Sequence, residues 1–143
     1  MTKLDDNHLQ SLIDAAIQAT KNAYIPYSHY PVGAALQASD GQIFTGCNIE
    51  NASYPASICA ERTALVKAVS EGVRSFSNLV VATRDGGSPC GICRQMLSEF
   101  GVNVRVLLVT LEGNIIHDTT LAVLLPLNFT SDSLDMSTND GTR

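Results

Sequence analysis

Two short stretches, Cys59-Ala60-Glu61-Arg62 and Pro89-Cys90-Gly91-Ile92-Cys93, bring three thiols and one carboxylate into a chain of 143 residues. Three thiolates suit a borderline-soft ion such as zinc, and a fourth position left open for water would make the site catalytic rather than structural. Glu61 is only two residues from Cys59, so it could join the ligands only by distorting the turn. It is better placed to carry protons beside a metal-bound water. The two stretches therefore predict one catalytic zinc ion per chain, with the three cysteines as its ligands.

Each stretch is expected at the N-terminus of a helix. One helix is predicted over residues 58–71, and a second over residues 88–100 with Ser88 as N-cap and Pro89 at the first helical position. Cys90 and Cys93 would then lie three residues apart on one side of the first turn, as a shared ion requires. The partial positive charge at both helix starts favours thiolate over thiol.

Arg62 follows the proposed proton carrier directly. Three thiolates around Zn²⁺ leave a net negative charge, which weakens zinc as an acidifier of water. A guanidinium that donates to a thiolate sulfur offsets part of that charge. Our hypothesis is that Arg62 tunes the metal site rather than binding substrate.

The chain before the first stretch predicts a helix and a hairpin. Apolar residues at three- and four-residue steps indicate a helix over residues 7–22. Asp40-Gly41 between apolar stretches indicates a hairpin of two strands, over residues 32–38 and 42–47. Small residues at positions 33–35 indicate that another element packs close to the first of these strands.

The remaining elements complete a layered α/β pattern. The continuously apolar run at residues 79–83 indicates a strand buried on both faces. Further strands are predicted over residues 102–110 and 115–117, followed by a short helix over residues 121–125. The resulting order α-β-β-α-β-α-β-β-α predicts an α/β domain with partly parallel strand pairing and right-handed crossovers.

Length and composition limit the class of protein. We expect one domain over residues 1–130 and a frayed polar tail over residues 131–143. The net charge of −5, with nine scattered basic residues, argues against a nucleic-acid partner. No signal peptide is evident, and the apolar segment at residues 121–127 is too short to cross a membrane. A Cys-x-x-Cys pair without an export signal favours metal or redox chemistry in the cytoplasm.

Two other interpretations of the cysteines stay open. A redox motif of the thioredoxin type would follow the first strand of its unit directly and would not need Glu61. A structural zinc site normally has four protein ligands. Cys47 is the one spare thiol, and its place on a strand favours a small buried residue over a fourth ligand.

The Cys-Ala-Glu and Pro-Cys-x-x-Cys pair is the signature of the zinc-dependent nucleoside and nucleobase deaminases. Cysteine at position 59 and the stretch Thr45-Gly46-Cys47-Asn48-Ile49-Glu50-Asn51-Ala52 resemble the small homotetrameric cytidine deaminases. The likeness spans residues 24–129. It implies a three-layer α/β/α fold with a mixed five-stranded sheet. It also implies hydrolysis of cytidine and deoxycytidine to uridine and deoxyuridine, with release of ammonia, in pyrimidine salvage.

The resemblance assigns substrate-binding roles by position. The matching residues are Tyr30, Asn48, Glu50, Ala52, Tyr54, Ala60 and Phe129. In the family, Asn48 and Glu50 correspond to residues that hold the ribose hydroxyls. Ala52 and Tyr54 correspond to residues that a neighbouring subunit lends near the 5′ end of the sugar, and Phe129 to a ring that stacks on the base from another subunit. Homotetramers with shared sites are therefore expected.

Tyr30 departs from the phenylalanine usual in the family. Its ring can still pack against the base, but its hydroxyl requires a partner. A blasticidin-type deaminase is the nearest alternative enzyme, and a structural-zinc interaction module is the non-enzymatic one. The Asn48-x-Glu50 pattern and Phe129 favour the nucleoside enzyme. The acidic balance disfavours a nucleic-acid editing deaminase.

Overall fold

A mixed sheet of five strands forms the middle layer of the molecule across residues 5–134, the part that the computed structural model describes. The strands are β1 (Gly33–Ala38), β2 (Ile43–Cys47), β3 (Phe76–Thr83), β4 (Arg105–Thr110) and β5 (Ile115–Thr120). Their order is β2-β1-β3-β4-β5. The β3–β4 pair is parallel, and the other neighbouring pairs are antiparallel. The mixed five-stranded sheet expected from the sequence is confirmed.

Helices cover both faces of the sheet, which confirms the three-layer α/β/α architecture. They are α1 (Asp6–Ala19), α2 (Ala60–Ser70), α3 (Gly91–Ser98) and α4 (Leu121–Leu124), with short 3-10 turns at Thr20–Asn22, Tyr54–Ala56 and Ser131–Ser133. On one face, α1 packs through Leu12, Ile13 and Ala16. On the other face, α2 and α3 contribute residues such as Leu65 and Leu97 to the larger core cluster.

Two glycines let helices approach the sheet closely. A Cβ at Gly33 would lie 2.0 Å from the Ala16 carbonyl oxygen, so β1 packs directly against the backbone of α1. A Cβ at Gly46 would lie 2.5 Å from both the Ala60 carbonyl oxygen and the Ala64 nitrogen. The small residues predicted to mark a close contact at the start of β1 therefore do so.

The starts of the two site helices differ from prediction. Ser88 is not the N-cap of α3, because the helix begins at Gly91 and Cys90 is its N-cap. The Ser88 hydroxyl accepts a hydrogen bond from Arg94 Nη2 at 2.6 Å instead. Likewise α2 begins at Ala60 rather than at residue 58, because Ile58 pairs with Ile49 in an isolated antiparallel bridge.

Strand lengths also differ from the predicted ones. β3 begins at Phe76, three residues before the apolar run, and β5 continues to Thr120. The added β5 residues are polar, and they pair with β4 at the edge of the sheet, where apolar side chains are not required. β4 begins only at Arg105, three residues after the predicted start.

The predicted division of the chain at residue 130 stays a prediction. The turn Ser131–Ser133 is formed, and residues 135–143 of the predicted tail lie outside the described residues. Within residues 5–134, every helix is too short or too polar to cross a membrane.

The pairing of β1, β2 and β3 brings the segments that form the site together at one end of these strands. Gly33 at the start of β1 lies between Cys47 at the end of β2 and Ala82 near the end of β3. The segments just outside these three strands therefore meet. They carry Tyr30, Asn48 and the loop over residues 84–90 that leads into α3.

Candidate active site

Three thiols converge between the starts of α2 and α3. Cys59 is the N-cap of α2, Cys90 is the N-cap of α3, and Cys93 lies in the first turn of α3. The Cys59 and Cys90 sulfurs are 3.8 Å apart, and the Cys90 and Cys93 sulfurs are 3.6 Å apart. All three sulfurs lie within 4.8 Å of one another. The sequence-predicted ligand set is thus brought together by helix starts that are far apart in the chain.

The spacing of these sulfurs fits a zinc ion. A tetrahedral ion with Zn–S bonds of about 2.3 Å would hold sulfurs about 3.8 Å apart. The thiols are not joined as disulfides, whose sulfurs would be only about 2.05 Å apart. Cys47, half-buried at the end of β2, is outside the cluster. Among the described residues the cluster therefore offers three ligands and leaves a fourth position for water.

Hydrogen bonds from neighbouring side chains favour the thiolate form of Cys59. A hydrogen bond from the Cys93 thiol is the main cause that lowers the pKa of the Cys59 thiol to about 5, and Arg62 lowers it further. The Arg62 Nη2 atom lies 3.7 Å from the Cys59 sulfur. The Cys93 thiol is the donor of this hydrogen bond, which raises its own pKa, and burial raises it further. Arg62 thus contacts a proposed ligand, as its tuning role requires.

Glu61 is a buried acid beside the thiols. It lies in the first turn of α2, and only 3% of its surface is exposed. Burial raises the pKa of the Glu61 carboxyl, and the neighbouring Cys59 thiolate raises it further. A raised pKa makes a carboxylate a better proton acceptor, which favours a role in proton transfer. The position and environment suit the predicted proton carrier.

A cavity of about 500 Å³ opens onto this cluster. The predicted site residues that line it are Tyr30, Asn48, Glu50, Tyr54, Cys59, Glu61, Arg62 and Cys90. Cys93 is fully buried behind them. Because Glu61 and two thiols line the same cavity as Asn48 and Glu50, one small molecule could contact both groups.

Asn48 and Glu50 hold the segment before β1. The Asn48 amide donates to the Tyr30 carbonyl oxygen at 2.8 Å and accepts from the Val32 N–H at 2.9 Å. Glu50 Oε1 accepts from the N–H groups of Tyr27 and Ser28, each at 3.1 Å. Burial would raise the pKa of the Glu50 carboxyl, but these hydrogen bonds outweigh it and lower the pKa. A carboxylate is therefore held at the cavity wall with its second oxygen available to a ligand.

Three predicted substrate-binding residues do not line the cavity of the single chain. Ala52 and Phe129 are exposed, and the Phe129 carbonyl oxygen accepts from Gln95 Nε2 at 3.1 Å. Ala60 is fully buried, packed against Gly46. Their substrate-binding roles stay predictions. Tyr54 does line the cavity, but its ring is 72% exposed and meets the Tyr27 ring edge-on at 5.9 Å.

Sequence reasoning missed residues in the loop that leads to Cys90. Thr83, Gly87, Ser88 and Ile92 also line the cavity, and Asp85 binds the Tyr30 hydroxyl. The run Asp85-Gly86-Gly87 has the composition of a turn, which by itself indicates no role in a binding site. Arg94 was missed as well, although its guanidinium donates to the Pro89 and Leu124 carbonyl oxygens, at 2.7 and 2.6 Å. Arg94 thereby holds the segment before Cys90 against α4. No local sequence pattern predicts this contact.

Comparison with known proteins agrees with the fold and the site. The family model for the cytidine and deoxycytidylate deaminase zinc-binding region matches residues 6–110. A cytidine deaminase from Sporosarcina psychrophila is 52% identical over 129 residues, which cover 88% of this chain and 94% of that protein. One from Halalkalibacterium halodurans is 46% identical over 129 residues, covering 88% and 97%. The crystal structure of cytidine deaminase from Burkholderia pseudomallei superposes with a TM-score of 0.79 at 42% identity, covering 90% and 100%.

The α/β/α fold and the thiol cluster beside a buried glutamate define a zinc-dependent hydrolytic deaminase. The chain belongs to the cytidine and deoxycytidylate deaminase family, and its cofactor is zinc.

Proposed function

We propose that this enzyme hydrolyses cytidine and deoxycytidine to uridine and deoxyuridine, with release of ammonia, in pyrimidine salvage. The observation that carries the proposal is the buried Glu61 beside three converging thiols, at the end of a cavity with room for a nucleoside. The relatives named cytidine deaminase, which match over most of their length, support the same substrates.

Cys59, Cys90 and Cys93 would hold the zinc ion. When bound, zinc supplies a Lewis acid that acidifies water in the cavity. The chain itself supplies a cavity of about 500 Å³ beside the thiols and keeps Glu61 buried. Arg62, in contact with the Cys59 sulfur, offsets part of the thiolate charge.

Glu61 would carry the protons. The reaction adds one water to the carbon that bears the amino group and breaks the C–N bond, so protons must move from water to a ring nitrogen and to the leaving amine. A single carboxylate on one face of a planar ring can serve each transfer in turn. The position of Glu61 in the first turn of α2, beside the ligands on both helices, supports this role.

Asn48 and Glu50, which line the same cavity, would bind the ribose hydroxyls. Polar groups built to bind a substrate hydroxyl can reject an analogue without it by about 10⁴–10⁵. Free cytosine should therefore be a very poor substrate. Ala60 would contribute through its backbone N–H, an unsatisfied donor at the helix start, because its side chain is buried.

We further propose a homotetramer in which subunits share their sites. Large apolar side chains are exposed near the cavity and the C-terminus: Tyr54 (72%), Ile92 (64%), Leu127 (103%) and Phe129 (60%). Exposed apolar surface of this kind is typical of an interface. Ala52 and Phe129 would then complete the site of a neighbouring subunit, and so would the exposed side chain of Tyr54, which also lines the cavity of its own chain. Four unpaired thiols suit a reducing compartment, and we propose that the enzyme acts in the cytoplasm.

One experiment tests the proposed function directly. Ammonia release is measured from cytidine, deoxycytidine, cytosine and blasticidin S, with zinc content determined on the same sample. We expect about one zinc per chain, turnover of both nucleosides and nearly none of cytosine. Preference for blasticidin S would replace the substrate assignment. A zinc-loaded protein that releases no ammonia from any of the four would contradict the proposal as a whole.

A further inference from the structure

The Tyr30 hydroxyl is bound by the loop between β3 and α3. It donates a hydrogen bond to Asp85 Oδ1 at 2.6 Å. The Thr83 hydroxyl donates to the same oxygen at 3.2 Å and accepts from the Gly87 N–H at 2.7 Å. Side chains and backbone of the loop therefore form a small hydrogen-bond network, and the Tyr30 hydroxyl is joined to it through Asp85.

The fit around this hydroxyl is close. A Cβ at Gly87 would lie 2.9 Å from the Tyr30 hydroxyl oxygen, so the loop backbone packs directly against it. Arg84 lies over the Tyr30 ring, with its guanidinium carbon 5.3 Å from the ring centroid. The same guanidinium donates to the His29 carbonyl oxygen. The ring is thus fixed from its edge and from its face.

The backbone of Tyr30 is fixed independently, by Asn48, whose amide binds the Tyr30 carbonyl oxygen. Asn48 follows β2, and Asp85 follows β3. Tyr30 therefore connects two segments of the cavity wall, and its ring position depends on both. Asp85 itself does not line the cavity, so it would act on a bound nucleoside through the lining residues that it contacts, Tyr30 at 2.6 Å and Thr83 at 3.2 Å.

The charge states suit a strong hydrogen bond. The Tyr30 hydroxyl is the main cause that lowers the pKa of the Asp85 carboxyl, so Asp85 is a carboxylate at neutral pH. Burial, followed by Asp85, raises the pKa of the Tyr30 hydroxyl, which stays a donor. Hydrogen bonds from a hydroxyl to a carboxylate are typically about 2.5–2.7 Å long, and this one falls in that range.

We propose that Asp85 is a positioning residue for nucleoside binding, which holds the Tyr30 ring as one wall of the cavity. The inference rests on the proposed function, because it concerns how tightly that cavity binds a nucleoside. Since neither the Asp85 carboxylate nor the Tyr30 hydroxyl belongs to the thiol cluster, losing their bond should weaken binding and leave the chemical step largely intact.

The test is a double-mutant cycle on the full-length, zinc-loaded enzyme. Asp85→Ala, Tyr30→Phe and the double variant are compared for KM and kcat with cytidine, for uridine binding by calorimetry and for zinc content. Each single change should raise KM and the Kd of uridine by about 3- to 10-fold, with kcat within about twofold and zinc unchanged. The double variant should be no weaker than either single one, because both changes remove the same bond.

Two further variants separate positioning from general damage. Asp85→Asn keeps an acceptor oxygen and should recover KM to within about twofold of the parent. Asp14→Ala, which removes an exposed aspartate paired with Gln10 on α1, should leave all four quantities unchanged. Gly87→Ala should raise KM in the parent and less so in Tyr30→Phe, where the crowded oxygen is absent.

Several outcomes would overturn the inference. An unchanged KM in Asp85→Ala would do so, and so would single effects that multiply in the double variant. A fall in kcat together with zinc loss would assign the loop to the metal site instead. If the parent enzyme neither released ammonia from cytidine nor bound uridine, the proposed function itself would fail. Failure of the proposed function can thus be told from failure of the inference, in which the parent enzyme is active and Asp85→Ala has the same KM.

Discussion

Arg62 reaches back along the first turn of α2 and donates to the sulfur of Cys59 across 3.7 Å. Its Nε atom is buried and has no hydrogen-bond partner within residues 5–134. A buried donor without a partner is costly, and this one lies beside the thiol cluster that we propose the guanidinium supports.

Replacing Arg62 with glutamine should weaken zinc binding. The change removes a positive charge and a donor to a thiolate, and the loss of such supporting contacts typically costs about 10- to 100-fold in metal affinity or activity. Zinc transfer to a competing chelator at fixed pH measures the effect. Arg74→Gln is the matched control, because Arg74 is an exposed arginine that binds only the carbonyl oxygens of Val69 and Val73. Identical chelator curves for the Arg62 variant and the parent would remove Arg62 from the metal site.

Glu61→Gln should keep zinc and lose turnover. Glutamine preserves the size of the side chain but cannot take up a proton, and proton transfer by a placed group contributes about 10²–10⁴-fold to rate. Zinc content and ammonia release from cytidine are measured on one preparation. A variant that retained zinc and most of its turnover would show that another group carries the protons.

Mixed tetramers can show whether subunits share a site. If Phe129 stacks on the base as proposed, Phe129→Ala should lower the efficiency of cytidine turnover by about 10-fold or more, because that stacking would be lost. Two differently tagged chains, one with Glu61→Gln and one with Phe129→Ala, are co-expressed and purified through both tags. If the ring comes from another subunit, roughly a quarter of the sites in randomly mixed tetramers regain both groups. Pre-formed tetramers, mixed only after purification, serve as the control, and activity that never exceeds theirs would place Phe129 in its own chain's site.

Gly46→Ala should destabilise the fold that carries the site. The new methyl group would meet backbone atoms of Ala60 and Ala64 at 2.5 Å, so α2 would have to move away from β2. Overpacking of this kind costs about 1–3 kcal/mol, which urea unfolding can measure. Gly91→Ala, whose methyl group would meet nothing within 4 Å at the start of α3, should be at least as stable as the parent. Equal urea midpoints for the two variants would mean that α2 can move away from β2 without loss of stability.

The zinc ligands and the buried acid could be predicted because they lie in two short sequence motifs. The two motifs could be assigned to one site, because three thiols near predicted helix starts favour a shared metal ion. These residues are Cys59, Glu61, Cys90 and Cys93. The start of α3 could not be predicted correctly, because the choice between Ser88 and Cys90 as N-cap depends on Arg94 binding the Ser88 hydroxyl from the next turn.

Contacts between distant segments were beyond sequence reasoning. Tyr30 and Asp85 are 55 positions apart, and nothing near either residue indicates the other. The polar end of β5 was missed for a related reason, since its strand conformation comes from pairing with β4 rather than from apolar residues of its own. The contribution of Phe129 stays a prediction, because a single chain leaves its ring exposed.

Two of the three thiols are N-caps, and neither side chain makes a capping hydrogen bond. Serine or aspartate at such a position would stabilise its helix by about 1 kcal/mol, so this chain forgoes that help at both helix starts. We expect the ion to take over the task of fastening them, so that stripping zinc with a chelator lowers the melting temperature and exposes the starts of α2 and α3 to hydrogen exchange. Unchanged exchange there would refute this. If zinc stabilises both helix starts, the amount of folded enzyme in a cell will depend on the zinc supply as well as on the expression of the gene.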